Sequence, residues 1–127
     1  MSDTTTRGIR IMVTPRYVAE QSDVEAGRYL FAYHIVIQNL SPDTVQLLSR
    51  HWVITNGEGK IEEVRGPGVV GEQPVLRPGD EFEYTSGCPL TTPVGTMHGE
   101  FNMIAEDGEK FDAAIDPFRL AVPAMLN

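Results

Sequence analysis

Arg65-Gly66-Pro67-Gly68-Val69-Val70-Gly71-Glu72-Gln73-Pro74-Val75-Leu76-Arg77-Pro78-Gly79 decides how this chain is read, because it holds a G-x-G-x-x-G spacing in an unusual setting. In a dinucleotide-binding fold those glycines follow a strand and open a helix, whose N-terminal amides hold a pyrophosphate. Here Pro74 and Pro78 stand within five residues just past the last glycine. Each lacks an amide donor and clashes with the preceding turn, so no helix can continue through them. The segment therefore links strands, and a doubly wound parallel fold is excluded.

Outward from this bend the chain alternates with period two. Ile9, Ile11 and Val13 interleave with Arg10, Met12 and Thr14, the pattern of a first strand. Glu20 to Gly27 reads as a polar loop. Tyr29 to Ile37 is apolar on both faces and predicts a central strand packed on two sides. Asn39 to Asp43 is a turn, and Val45 to Thr55 a strand ending in Asn56-Gly57-Glu58-Gly59, where Asn and Gly tolerate the positive φ of a hairpin. Lys60 to Val64 returns beside it. After the Arg77–Asp80 turn come strands at Glu81 to Gly87, Met97 to Ala105 and Lys110 to Leu120, the last two joined around Asp107-Gly108. The expectation is an all-β antiparallel sandwich of seven or eight strands, in the immunoglobulin or fibronectin type III style. One domain should span 1–127, ordered from about 9 to 120, with the first eight and last five or so residues frayed.

Composition narrows the function. The 127 residues carry a formal charge of −8. Residues 1–65 hold eight acids and seven bases, and 66–127 hold ten acids and three bases, so the second half carries −7 of the total. Such a balance opposes general nucleic-acid binding and predicts a solvated acidic surface. One cysteine, Cys88, forbids an intrachain disulfide. Met1 to Arg7 lacks the apolar core of a signal peptide, and the run Tyr29 to Ile37 is too short to span a bilayer. A cytoplasmic protein without membrane insertion, monomeric or homodimeric, is expected.

Several ordered motifs carry a resemblance. Phe31-Ala32-Tyr33, Arg50-His51-Trp52-Val53-Ile54-Thr55, Glu63 to Pro74, Tyr84-Thr85-Ser86-Gly87-Cys88 and Gly95-Thr96-Met97-His98-Gly99 resemble the ApaG (CorD) family, from about Ile9 to Leu120. Pro67 departs from the acidic or polar residue common there; it stiffens the loop and removes one amide. The resemblance implies a fibronectin III-like sandwich and a bacterial cytosolic protein, encoded near a diadenosine tetraphosphatase and an rRNA dimethyltransferase and linked to cobalt and magnesium resistance or efflux. Eukaryotic relatives attached to an F-box protein and a DNA-polymerase-interacting protein imply an interaction module. No catalytic residue is carried over.

Two candidate sites emerge from the residues themselves. Gly66, Gly68 and Gly71, with Arg65 and Arg77 adding charge, could form an anion nest for a nucleotide or pyrophosphate, against a plain reading as a tight turn. In the last hairpin, a loop at Asp107-Gly108-Glu109 sets Ala105 opposite Phe111 and Glu100 opposite Asp116, with His98 on the same face. Two facing carboxylates and an imidazole suit a divalent cation, against a plain reading as a solvated sheet face.

The remaining polar residues read as structural. His34 and His51 fit satisfied sheet positions, Trp52 a core position, and Cys88 a buried thiol. Arg50 shares the face of Trp52, so its guanidinium needs a carboxylate or several carbonyls. No catalytic motif is present, so enzyme activity is not expected. No cofactor is expected apart from the candidate divalent cation. The expectation is a non-enzymatic module bound to a protein partner, with nucleotide binding and direct metal binding as the alternatives.

Overall fold

The computed structural model describes residues 1–125, in nine strands and two short 3-10 turns. The strands are β1 Ser2–Thr6, β2 Ile9–Tyr17, β3 Tyr29–Asn39, β4 Val45–Asn56, β5 Ile61–Pro67, β6 Val75–Leu76, β7 Glu81–Leu90, β8 Val94–Ala105 and β9 Lys110–Ala121. One sheet runs β1-β2-β3-β7, and the other runs β5-β4-β8-β9 with β6 also on β4. Every ladder is antiparallel. The expected two-layer antiparallel sandwich is the fold, and the chain past Gly71 enters strand β6 rather than a helix.

Alternation builds the core. Ile9, Ile11 and Val13 of β2 and Phe31, Tyr33, Ile35 and Ile37 of β3 face inward and are buried. From the other sheet, Trp52 sets its ring 5.4 Å from Tyr33, 6.3 Å from Phe101 and 5.9 Å from Phe118, nearly edge-on each time. Edge-to-face rings at such separations are favourable beyond the area they bury, so Trp52 ties three other strands together. Turn chemistry holds the β4–β5 hairpin: the Asn56 side-chain oxygen accepts from the amides of Glu58 and Lys60 at 2.9 and 3.0 Å.

Three expectations need correction. The first residues are not frayed. The threonine-rich segment Ser2–Thr6 pairs with β2 through a two-residue turn in which Arg7 and Gly8 take φ of 49° and 80°. β-Branched threonines favour this extended state. β3 is central in its sheet, but its outer residues Leu30, His34 and Val36 are only half-buried, because no layer covers that face. At the other end Pro123–Met125 form a 3-10 turn, and residues 126 and 127 lie outside those described.

The two long sides of the sandwich differ. β9 packs beside β1 and β2. There the amides of Ala114 and Asp116 donate to the hydroxyls of Thr6 and Thr4. On the opposite side the outermost strands are β5 and β7, and a cleft opens between the sheets.

Candidate functional site

The cleft owes its chemistry to one extra residue in β4. The register of β4 on β8 shifts between Leu47 and Ser49. A bulge of this kind reverses the in–out alternation, so Val45 and Leu47 face the core before it and Arg50 and Trp52 after it. The Arg50 guanidinium thus lies on an interior face. Its Nη1 donates to the carbonyls of Pro67 at 3.0 Å and Gly68 at 2.9 Å. These are the several carbonyls that such a cation requires. Opposite Arg50 in the ladder stands Gly66, where a Cβ would come within 2.9 Å of Arg50 Nη2.

The glycine loop is an excursion from a single edge. β5 and β6 run in line along the same side of β4. The amide of Gly68 donates to Leu48 O, and that of Leu47 to Pro74 O, so 69–73 are the five residues that leave the ladder. They close a tight hairpin in which Val69 and Glu72 exchange amide bonds at 2.8 and 2.9 Å. Val70 and Gly71 between them take φ of 43° and 82°, the signature of a type I′ turn. Gly68 has φ 59°, and a Cβ there would clash with Glu72 O. The amides of Gly68, Val69 and Glu72 are engaged within the protein, and two carbonyls of the loop face a cation. The loop meets the Arg50 guanidinium with carbonyl oxygens.

The cleft has two lobes that share Tyr33, Arg50 and Ser86. One, about 370 Å³, is bounded by the glycine loop and Tyr84; the other, about 240 Å³, by Trp52, Ile54, Val64, Cys88 and Met97, with Glu62 at its margin. Burial raises the Tyr33 phenol above its ordinary range, partly offset by a hydrogen bond to Ser86. Burial raises Tyr84 further, and its enclosed hydroxyl has no hydrogen-bond partner among the described residues. An unmet buried polar group costs about 1–3 kcal/mol. Burial also pushes the Cys88 thiol up to about 11, which fits the expected buried thiol.

Arg65 and Arg77, predicted to add charge to the loop, lie elsewhere. Arg65 is on the outer face of its sheet, 69% exposed and 3.9 Å from Glu63. Arg77 belongs to the turn between β6 and β7, where its amide donates to Asp80. Arg50 is the guanidinium that reaches the glycine loop.

The register set for the last hairpin is also corrected. The three-residue loop is Glu106-Asp107-Gly108, closed by the Ala105 amide on Glu109 O, one residue earlier than expected. Pairing slides by two, so the faces survive but the partners change. Met103 faces Phe111, Phe101 faces Ala113, and Glu100 faces Ala114 rather than Asp116. Asp116 sits at a second bulge, opposite the break between Met97 and Gly99. His98, Glu100 and Asp116 are not brought together as a ligand set, and among the described residues no three His, Cys, Asp or Glu could hold a metal ion.

Glu100 has another partner. His51 Nδ1 lies 2.7 Å from Glu100 and its Nε2 2.8 Å from Glu63, so one imidazole spans three strands on the outer face. Hydrogen bonds to these carboxylates, Glu63 first, hold the His51 pKa above its ordinary value. His34 is likewise satisfied, by Thr85 and Glu83.

Among the described residues no helix is long and apolar enough to cross a membrane. The profile of the ApaG domain family matches residues 19–105. The ApaG protein of Thiobacillus denitrificans is 58% identical over 119 residues, 94% of each chain. That of Dechloromonas aromatica is 52% identical over 127 residues, the full length of both. A crystal structure named for an ApaA protein of Bordetella pertussis superposes with a TM-score of 0.90 at 51% identity, covering 94% of this chain and 98% of that one. The order of motifs, the sandwich and these similarities agree: this chain belongs to the ApaG family.

Proposed function

We propose that the protein is a non-enzymatic interaction module that docks a protein partner along the β5–loop–β6 edge. Val70 carries this reading. It is a β-branched residue held at φ 43° at the tip of a two-residue turn, where Asn or Gly would be far less strained, and it is 56% exposed. Strain kept at an exposed apolar position supports recognition, since neither packing nor backbone preference accounts for it. Ile61 and Val75 on the same edge are also exposed, and an edge strand offers unpaired backbone groups to an extended segment.

The cobalt and magnesium resistance implied by the family resemblance is in this reading a consequence of partner binding. Partner capture on immobilised protein, with Val70→Asn as the paired control, tests the proposal. The expected result is one reproducible partner held by the wild type and lost by a folded Val70→Asn variant. Capture that is equal for both would count against this edge, and no reproducible partner against the module itself.

A further inference from the structure

Arg50 offers unmet donors in a prepared setting. Two N–H groups of Nη1 are held by Pro67 and Gly68 carbonyls, which leaves Nη2 and Nε. Among the described residues no carboxylate lies within 4 Å of this guanidinium. In the same lobe of the cleft, Tyr84 is 8% exposed, and its hydroxyl has no partner among the described residues. An Arg fork and a phenolic hydroxyl together seek a ligand atom that only accepts hydrogen bonds. The neighbouring lobe, about 240 Å³, is lined by Trp52, Ile54, Val64 and Met97 together with Glu62 and Ser86.

We infer that this cleft binds a monocarboxylate, with Arg50 and Tyr84 holding the carboxyl group and the lobe beside Trp52 taking an apolar substituent. Glu62 at the margin and the −8 charge of the chain oppose a dianion, which favours a carboxylate over a phosphate. Gly66 keeps the guanidinium flat against β5, and the two loop carbonyls fix its direction, so little freedom is lost on binding. The Tyr84 hydroxyl is enclosed as the chain stands. A bound carboxylate reaches it with an outward shift of the Val70–Gly71 turn, which lines the same lobe. The same turn carries Val70 of the edge-docking proposal, but this inference stands on Arg50 and Tyr84 and does not rest on that reading.

Trp52 is the only tryptophan and lines the cleft, so its fluorescence reports occupancy. The intact protein is titrated with phenylacetate, phenethylamine and inorganic phosphate, while amide shifts are followed by NMR. Saturable binding of phenylacetate alone is expected, with shifts at Val70, Gly71, Ser86 and Gly87. Arg50→Gln should weaken it at least about tenfold. Tyr84→Phe should weaken it while leaving the urea midpoint equal or higher, a split that a purely structural tyrosine would not produce. Acetyl-Ala-Phe as free acid and as amide then separates sources. Tighter binding of the free acid than of phenylacetate assigns the site to a peptide terminus, and weaker binding to a free metabolite. No saturable response to phenylacetate, equal response to phenethylamine, tighter binding of phosphate, or binding unchanged in Arg50→Gln would overturn the inference.

Discussion

Arg50 and Gly66 face each other across the β4–β5 ladder, and the absence of a side chain on Gly66 lets the guanidinium lie against the β5 backbone. Substituting Gly66→Ala places a methyl 2.9 Å from Nη2, so Arg50 must lift away from the Pro67 and Gly68 carbonyls. The expected loss is about 1.5–3 kcal/mol, the range for hydrogen bonds to a charged group, read as a lower urea midpoint at unchanged m-value. Gly68→Ala should cost more, because its Cβ meets the backbone at Glu72 O and its φ is positive.

Replacing Val70 by Asn should stabilise the protein by about 1 kcal/mol. Asn-Gly is the favoured pair for a two-residue turn with both φ positive, and valine resists that conformation. Chemical denaturation of the two proteins side by side measures the gain. No gain would mean that the Val70 side chain contributes packing that offsets the strain.

His51 makes stability depend on pH with a definite sign. Its pKa in the folded chain is raised by Glu63 and Glu100, so the imidazolium is favoured by folding. The resulting stability is present in full below about 6.5, the unfolded value, and is lost as pH rises through the folded pKa. As pH rises above about 6.5 the urea midpoint should fall, and His51→Gln should flatten the slope. Because Glu63 is 57% exposed, salt should shrink the effect.

Cys88 should resist alkylation in the folded protein at pH 8. Its thiol is buried and held at about 11, first by desolvation and then by the Glu62 charge. Relative to a free thiol near 8.5, the thiolate fraction falls by a factor on the order of 100 before access is considered. Iodoacetamide labelling followed by mass should therefore track unfolding. Rapid labelling without urea would contradict the burial.

Much of the architecture was legible because its signals are local. The alternations around Ile11 and Ile35 define strand faces within a few residues, and Pro74 and Pro78 forbid a helix wherever they fold. β1 has only a weak local signal, Thr4-Thr5-Thr6 before Arg7-Gly8 and the Ile9 alternation, without an apolar face of its own. Arg50 was legible as an interior cation, whereas nothing near Tyr84 in sequence announces that its hydroxyl lacks a partner.

The amino-acid order alone determined that the chain builds two antiparallel layers, that the glycine bend joins strands, and that Arg50 shares a face with Trp52. Tertiary structure decided which residues meet across strands: Glu100 with His51 rather than Asp116, and Arg50 rather than Arg65 at the glycine loop. The physical reason lies in register. Inward and outward faces follow from a two-residue repeat inside one strand, and a slip of two preserves them. Partners depend on where the β8–β9 loop closes and on single-residue bulges near Leu48 and Asp116, which many weak contacts between distant segments settle together.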